Sequence, residues 1–197
     1  LSNSRNKLIK KLDLCNYKSL KNYLKVNKPD IVVHLGGYST IDKIEYKKRY
    51  IKNNTLATKT LLKAMIENDI KNIIFSSTAA VYDYKSNINF FSENSKKNPK
   101  TIYGRTKLQC EKMIINNNKI NFIIFRFFNV CSSINHLRVG ENHRPETHLI
   151  PLSINNLIKK TPIKIYGSDY ETKDGTCIRD YIHIVDICHA FYKSIFF

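Results

Sequence analysis

The sequence predicts an α/β fold built on a parallel sheet, and three observations point to it. β-branched and aromatic runs recur at 31–35, 72–75 and 121–128. Stretches with a helical spacing of apolar residues separate them, at 17–26, 50–68 and from 103 onward. The first run also closes on Gly36-Gly37, a tight turn of the kind that follows a buried parallel strand. In such sheets ligands bind beyond the carboxyl ends of the strands.

Taken in order, residues 1–10 are polar and basic and read as a loop with a weak helical tendency. Leu12-Asp13-Leu14 suits a strand end. Tyr17, Leu20, Tyr23 and Leu24 have helical spacing, and Lys28-Pro29-Asp30 ends that helix. Ile31 to Leu35 is the first strand. The helix over 50–68 carries Leu56, Leu61, Leu62 and Met65 near one face. Asn72 to Phe75 is the second strand, with Ser76-Ser77-Thr78 at its carboxyl end. A loop rich in Asn, Ser and Lys runs to Pro99. The next helix carries Tyr103, with Leu108, Cys110, Met113, Ile114 and Ile115 as its apolar side. Strands over 121–128, 163–166 and 181–184 and helices over 149–158 and from Val185 complete the chain.

The chain has 197 residues, 42% hydrophobic and 25% charged, as an ordinary globular protein has. No apolar run approaches the roughly 20 residues that span a bilayer, and the first residues carry no signal-peptide pattern. The five cysteines are scattered, with no Cys-x-x-Cys pair. That argues against a zinc or other metal site and against a disulfide framework, and it fits a reducing cytoplasm. The net charge of +17 comes from lysines spread among Asn and Ile residues without a nucleic-acid-binding motif. No nucleic-acid partner and no membrane is expected. Leu1 is not methionine and the chain stops inside an apolar segment, so both ends read as cut.

Tyr103 and Lys107 stand four residues apart, on one helix face. A free phenol has a pKa of about 10 and is a poor base at neutral pH. A fixed cation favours the phenolate, so the pair can act as a general base. Alone, Tyr-x-x-x-Lys is a common surface pair. Three strand ends change that reading: Gly36-Gly37, Ser77-Thr78 and Asn129 converge where the Tyr103 helix begins.

With Ser76-Ser77-Thr78, Tyr103-x-x-x-Lys107 and Gly36-Gly37 together, the chain resembles the extended short-chain dehydrogenase/reductases of the NAD-dependent epimerase/dehydratase type. The strings 140–151, 165–170 and 174–183 resemble, within them, the bacterial UDP-glucose 4-epimerases. The resemblance covers nearly the whole chain. It implies a Rossmann-like doubly wound parallel sheet, truncated at its amino end, with part of a smaller α/β substrate domain. Residues 1–129 would be the NAD-binding domain, 130–178 the sugar-nucleotide domain, and 179–197 a strand and helix returning to the first. It implies NAD as cofactor, a UDP-sugar as substrate, and inversion at C4 through a 4-keto sugar, as in galactose metabolism.

Residue by residue, Tyr103 would be the base on the sugar 4-hydroxyl. Lys107 would hold the nicotinamide ribose and lower the Tyr103 pKa, and Thr78 would relay the proton. Asp13 and Leu14 match the pair flanking the adenine. Leu35, Gly36, Gly37, Tyr38 and Ser39 match the loop under the pyrophosphate and ribose. Ser76, Asn54 and Phe128 match further NAD contacts, and Leu1 to Ser4 the end of the adenosine-ribose loop. Ala79, Ala80, Asn129, His148, Leu149, Lys164 and Tyr166 would line the UDP-sugar pocket, and Arg179 would meet its pyrophosphate. Arg126, inside a strand, is a poorer phosphate ligand. His34 and His183 read as structural.

The family's opening strand and Gly-x-x-Gly-x-x-Gly turn have no counterpart before Leu1, nor does the remainder of its substrate domain after Phe197. A chain without them is expected neither to hold NAD nor to turn over alone. Ala79 and Ala80 stand where sugar-nucleotide 4,6-dehydratases carry acids, which disfavours that chemistry. Epimerases of UDP-GlcNAc or UDP-uronic acids, and an inactive fragment, remain alternatives. The family implies a homodimer of the full-length protein, through the 50–68 and 103–117 helices.

Overall fold

The computed structural model describes residues 10–39, 44–84, 90–134, 139–141 and 146–196. Leu1 to Ser4 and positions 142–145 of the 140–151 string lie outside the described residues. The chain forms two compact units, 1–127 and 128–197.

In the first unit, α1 (Tyr17–Asn27) leads into β1 (Ile31–His34). A short helical stretch follows: a 3₁₀ turn at Ile44–Tyr46, α2 (Lys47–Tyr50), a π-helical turn at Ile51–Leu56 and α3 (Ala57–Ile66). Then come β2 (Asn72–Thr78), α4 (Ile102–Ile115) and β3 (Asn121–Phe127). The three strands form one parallel sheet with β2 central, Ile31 facing Asn72 and Asn72 facing Asn121. This register brings Leu35, Thr78 with the residues after it, and Phe127 toward one end. The arrangement is the expected Rossmann-like parallel α/β layer.

The core lies between the sheet and helices α1, α3 and α4. Leu20, Leu24, Leu61, Met65, Ile73, Phe75, Cys110 and Ile114 form one buried cluster. β2 contributes alternate residues, Ile73 and Phe75, as the two-residue period of a strand requires. The helices start and stop on recognisable signals. Asn16 caps α1 by accepting from Ser19 N, and Thr101 caps α4 by accepting from Gly104 N. Lys28 ends α1 in a left-handed conformation.

The second unit holds β4 (Asn129–Cys131), α5 (Leu149–Lys159), β5 (Tyr181–His183) and α6 (Ile184–Ile195). β4 and β5 pair in parallel, Asn129 facing Tyr181.

Three expectations are corrected. Leu12-Asp13-Leu14 is irregular and leads into a turn at Leu14–Cys15: Asp13 Oδ1 accepts from Cys15 N and its carbonyl from Asn16 N, both at 2.9 Å. The aspartate competes with a ladder for the backbone and wins. Ile163 to Tyr166 is irregular, because alternation alone does not make a strand and no neighbour among the described residues pairs with it. The helix expected over 50–68 is interrupted by the π-turn at 51–56. Among the described residues no helix is long and apolar enough to cross a membrane.

Candidate active site

The site is built where α4 begins against the end of β2. Thr101 caps α4 and Gly104 lets it approach closely: a Cβ there would overlap the Ala80 carbonyl oxygen and lie 2.9 Å from Pro99 Cβ. That approach lays the first turn of α4 beside Thr78. The Tyr103 phenol lies beside the Thr78 side chain. Its ring lies 6.2 Å from that of Tyr50, which is fully buried and in turn packs edge-on against Tyr38 at 5.0 Å. Burial pushes the Tyr103 phenol above its usual value, Thr78 opposes this, and Tyr50 adds to it.

Lys107, one turn on, is buried and donates from Nζ to the Ser76 carbonyl at 2.7 Å. The ammonium also lies 4.8 Å over the Phe75 ring. Burial pulls its pKa down, while Cys110 and Glu111 hold it up. Ser76 and Thr78 therefore both meet the Tyr103–Lys107 face, as the sequence places them. Ala79 and Ala80 form the 3₁₀ turn that follows, its amide at Ala80 donating to Thr78 Oγ1 at 3.2 Å.

Gly36 and Gly37 emerge beside this face. A Cβ at Gly37 would lie 3.2 Å from Asn54 Oδ1 and 3.3 Å from Lys107 Nζ, so the backbone approaches the lysine directly. A Cβ at Gly36 would lie 3.4 Å from Leu14 Cδ1. Asn54 is buried and clamps the loop to α4: Oδ1 accepts from Tyr38 N at 2.6 Å, and Nδ2 donates to Tyr38 O at 3.1 Å and Thr106 Oγ1 at 3.0 Å. The π-turn presents it there, a common use of that irregularity. A cavity of about 330 Å³ is lined by Asp13, Leu14, Cys15, Gly37, Tyr38 and Ala57. It joins the turn at 13–15 to the glycine loop. Leu35 and Ser39 are exposed on the same loop. A larger cleft of about 680 Å³ opens at the opposite, amino ends of the strands, around Asp30 and Asn72, away from these groups.

His34 is buried beneath the loop, its Nε2 3.0 Å from Thr58 Oγ1. Burial, then the Lys107 cation, pulls its pKa down to about 4. The unfolded chain therefore binds a proton that the folded chain refuses between roughly pH 6.5 and 4. Stability is full above pH 6.5 and falls as pH drops toward 4, by about 3 kcal/mol from this group. Urea unfolding of wild type and His34→Gln at pH 7 and pH 4.5 checks it, the variant being expected to lose markedly less stability on acidification.

The other candidates lie in the second unit. Phe128 directly follows β3 and is exposed. Asn129 donates from its backbone N and Nδ2 to Asp180 O, at 3.1 and 2.9 Å. His148, the N-cap of α5, pairs through Nδ1 with Glu141 and lies 3.6 Å from Glu146. Leu149, Lys164 and Tyr166 are exposed, and Arg179 donates to the Ile178 carbonyl at 2.7 Å.

Two buried side chains near Tyr103 carry no obvious local signal. Tyr50 orders the tyrosine ring. Glu111, expected by its charge to be solvated, is buried and paired with Arg126. Its spacing of four from Lys107, on the side of the helix that faces the sheet, is the hint.

The model of the NAD dependent epimerase/dehydratase family matches residues 2–195. UDP-glucose 4-epimerase of Halalkalibacterium halodurans is 38% identical over 170 residues, 84% of this chain and 51% of that protein. The crystal structure of UDP-glucose 4-epimerase from Brucella ovis in complex with NAD aligns at TM-score 0.86 and 34% identity, over 93% of this chain and 57% of that one. The Bifidobacterium longum enzyme in complex with NAD+ and UDP aligns at TM-score 0.83 and 26% identity, over 94% and 58%. The chain thus spans about half the length of the curated relatives it matches. With a glycine loop, a Ser-Ser-Thr strand end and a Tyr–Lys helix assembled around one sheet end, and with a family match running almost its full length, the chain belongs to the NAD dependent epimerase/dehydratase family.

Proposed function

We propose that the full-length protein is an NAD-dependent UDP-sugar 4-epimerase that interconverts UDP-galactose and UDP-glucose. The observation that carries this reading is Tyr103 set beside Thr78, with Lys107 one helical turn away and bonded to the Ser76 carbonyl, at the ligand-binding end of a parallel sheet. The residues suit NAD: the two glycines let the loop backbone lie close against Lys107 and Asn54, and the 330 Å³ cavity beside it is of small-ligand size. Asp13 and Leu14 would flank the adenine, Leu35 to Ser39 would run under the pyrophosphate and ribose, and Ser76, Asn54, Lys107 and Phe128 would complete the cofactor contacts.

Bound NAD supplies the oxidation and re-reduction at C4. The chain supplies the acid–base work. Tyr103 takes the 4-hydroxyl proton, Thr78 shares it, and the two return it after the 4-keto sugar has turned. Burial alone holds the Tyr103 phenol protonated, so the base appears only when positive charge is added beside it, with Lys107 as one source. Ala79 and Ala80 leave the sugar pocket without an acid that would eliminate water. Asn129, His148, Leu149, Lys164 and Tyr166 would line the UDP pocket and Arg179 would meet the pyrophosphate. A homodimer through the helices at 50–68 and 103–117 completes the proposal.

The test is purification of the full-length protein, release of bound nucleotide by denaturation, and a coupled assay on UDP-galactose. One NAD per chain and turnover to UDP-glucose are expected. Turnover of UDP-N-acetylgalactosamine or a UDP-uronic acid in place of UDP-galactose would move the assignment to those substrates.

A further inference from the structure

Glu111 continues the face of α4 that carries Tyr103 and Lys107, one turn beyond the lysine. It is 1% exposed. A carboxylate so far from water costs several kcal/mol unless it is paired, and both of its oxygens are. Oε1 accepts from Ser77 Oγ and from Arg126 Nε at 3.0 Å, and Oε2 from Arg126 Nη2 at 2.9 Å. Arg126 Nη1 reaches on to the Tyr82 hydroxyl at 3.1 Å and the Glu93 carbonyl at 2.9 Å.

Three consecutive residues of β2 therefore meet one helix face. Lys107 holds the Ser76 carbonyl and Glu111 the Ser77 hydroxyl, and Tyr103 lies beside the Thr78 side chain. Arg126 ties down Tyr82, on the far side of the turn that follows Thr78. Thr78 is bracketed from both directions. A buried ion pair is by itself weak support for stability, since apolar replacements often do as well. An apolar plug, however, could neither hold the Ser77 hydroxyl nor place a negative charge one turn from Lys107.

We propose that Glu111, backed by Arg126, is a positioning residue for the 4-epimerase chemistry: it locks α4 in register with Ser77 so that Tyr103 stands beside Thr78, and it sets a negative charge one turn from Lys107. This rests on the epimerase reading above. Facing Lys107 are His34 from β1, the Ser76 carbonyl and Phe75 ring from β2, Asn54 from the π-turn, and Cys110 and Glu111 from its own helix. His34 is neutral, and burial pushes the Cys110 thiol up so that it stays protonated at neutral pH. Of these groups Glu111 carries the negative charge. Removing it lowers the Lys107 pKa.

The experiment compares Glu111→Gln, Glu111→Asp and Ser77→Ala with wild type in the full-length protein. In Glu111→Gln, kcat falls about tenfold or more, while KM for the UDP-sugar and the NAD content hold. The alkaline limb of kcat and the Lys107 ammonium titration, followed by NMR, both move to lower pH. Glu111→Asp restores part of each. Glu111→Gln leaves Arg126 buried without its partner, so a variant that fails to fold is replaced by Ser77→Ala, which keeps the ion pair. There kcat drops several-fold with NAD content unchanged. Wild-type kcat and an unmoved Lys107 titration, with only Tm altered, would overturn the proposal. If the wild type itself epimerises no UDP-sugar, the functional reading fails separately. The Lys107 titration in Glu111→Gln then still decides this inference, a shift to lower pH supporting it and an unchanged titration overturning it.

Discussion

Tyr103→Phe is expected to lower kcat by about 10³-fold, with KM for the UDP-sugar and NAD content within a few-fold of wild type. The substitution keeps the ring, and with it the packing against Tyr50 at 6.2 Å. What it removes is the hydroxyl beside Thr78. A positioned general base contributes about 10²–10⁴ in rate, and among the described residues His34 and Lys107 are turned elsewhere. His34 is buried and turned to Thr58, and Lys107 is directed at the Ser76 carbonyl. Steady-state kinetics with UDP-galactose check this. A variant retaining a tenth of wild-type kcat would mean that the proton leaves by another route and that Tyr103 only shapes the pocket.

Gly104→Ala is expected to destabilise the protein by about 3 kcal/mol or more, against the usual trend. In an ordinary helix interior alanine is better than glycine by about 1 kcal/mol. At this position the new Cβ overlaps the Ala80 carbonyl oxygen and crowds Pro99 Cβ at 2.9 Å. The obstacle is backbone, so no side-chain rotation relieves it. α4 and the 79–81 turn must part, and these are the two pieces that carry Tyr103 and Thr78. The activity of the molecules that remain folded therefore falls as well. Urea unfolding with kcat measured below the transition tests both halves. A raised or unchanged midpoint would mean that α4 does not approach Ala80 so closely.

Much of this architecture could be read from local pattern. The runs at 31–34, 72–78 and 121–127 are strands because β-branched and aromatic residues suit a buried parallel sheet, and their order follows from the helices between them. The boundaries of α1, α4 and α5 lie within a residue or two of the expected ones, and Asn16 and Thr101 give α1 and α4 a local capping signal. Where a partner decides, local pattern misleads. Ile115 belongs to the apolar side of α4 by composition, yet it is 48% exposed, whereas Lys107 and Glu111 are buried. Asp13 closes a turn, and 163–166 stays irregular, because a ladder needs a neighbour that the segment itself cannot supply.

The sequence by itself determined the α/β alternation, the placing of Gly36-Gly37 and Ser76-Ser77-Thr78 at strand ends, and the four-residue spacing of Tyr103 and Lys107. Each follows from a period or a turn residue acting over a few positions. Only the tertiary structure decided that Tyr103 meets Thr78, that Lys107 turns to Ser76, that Asn54 ties the glycine loop to α4, and that Glu111 is buried against Arg126. These contacts join residues 15 to 52 positions apart, and their register is set by how closely one helix can approach one strand end.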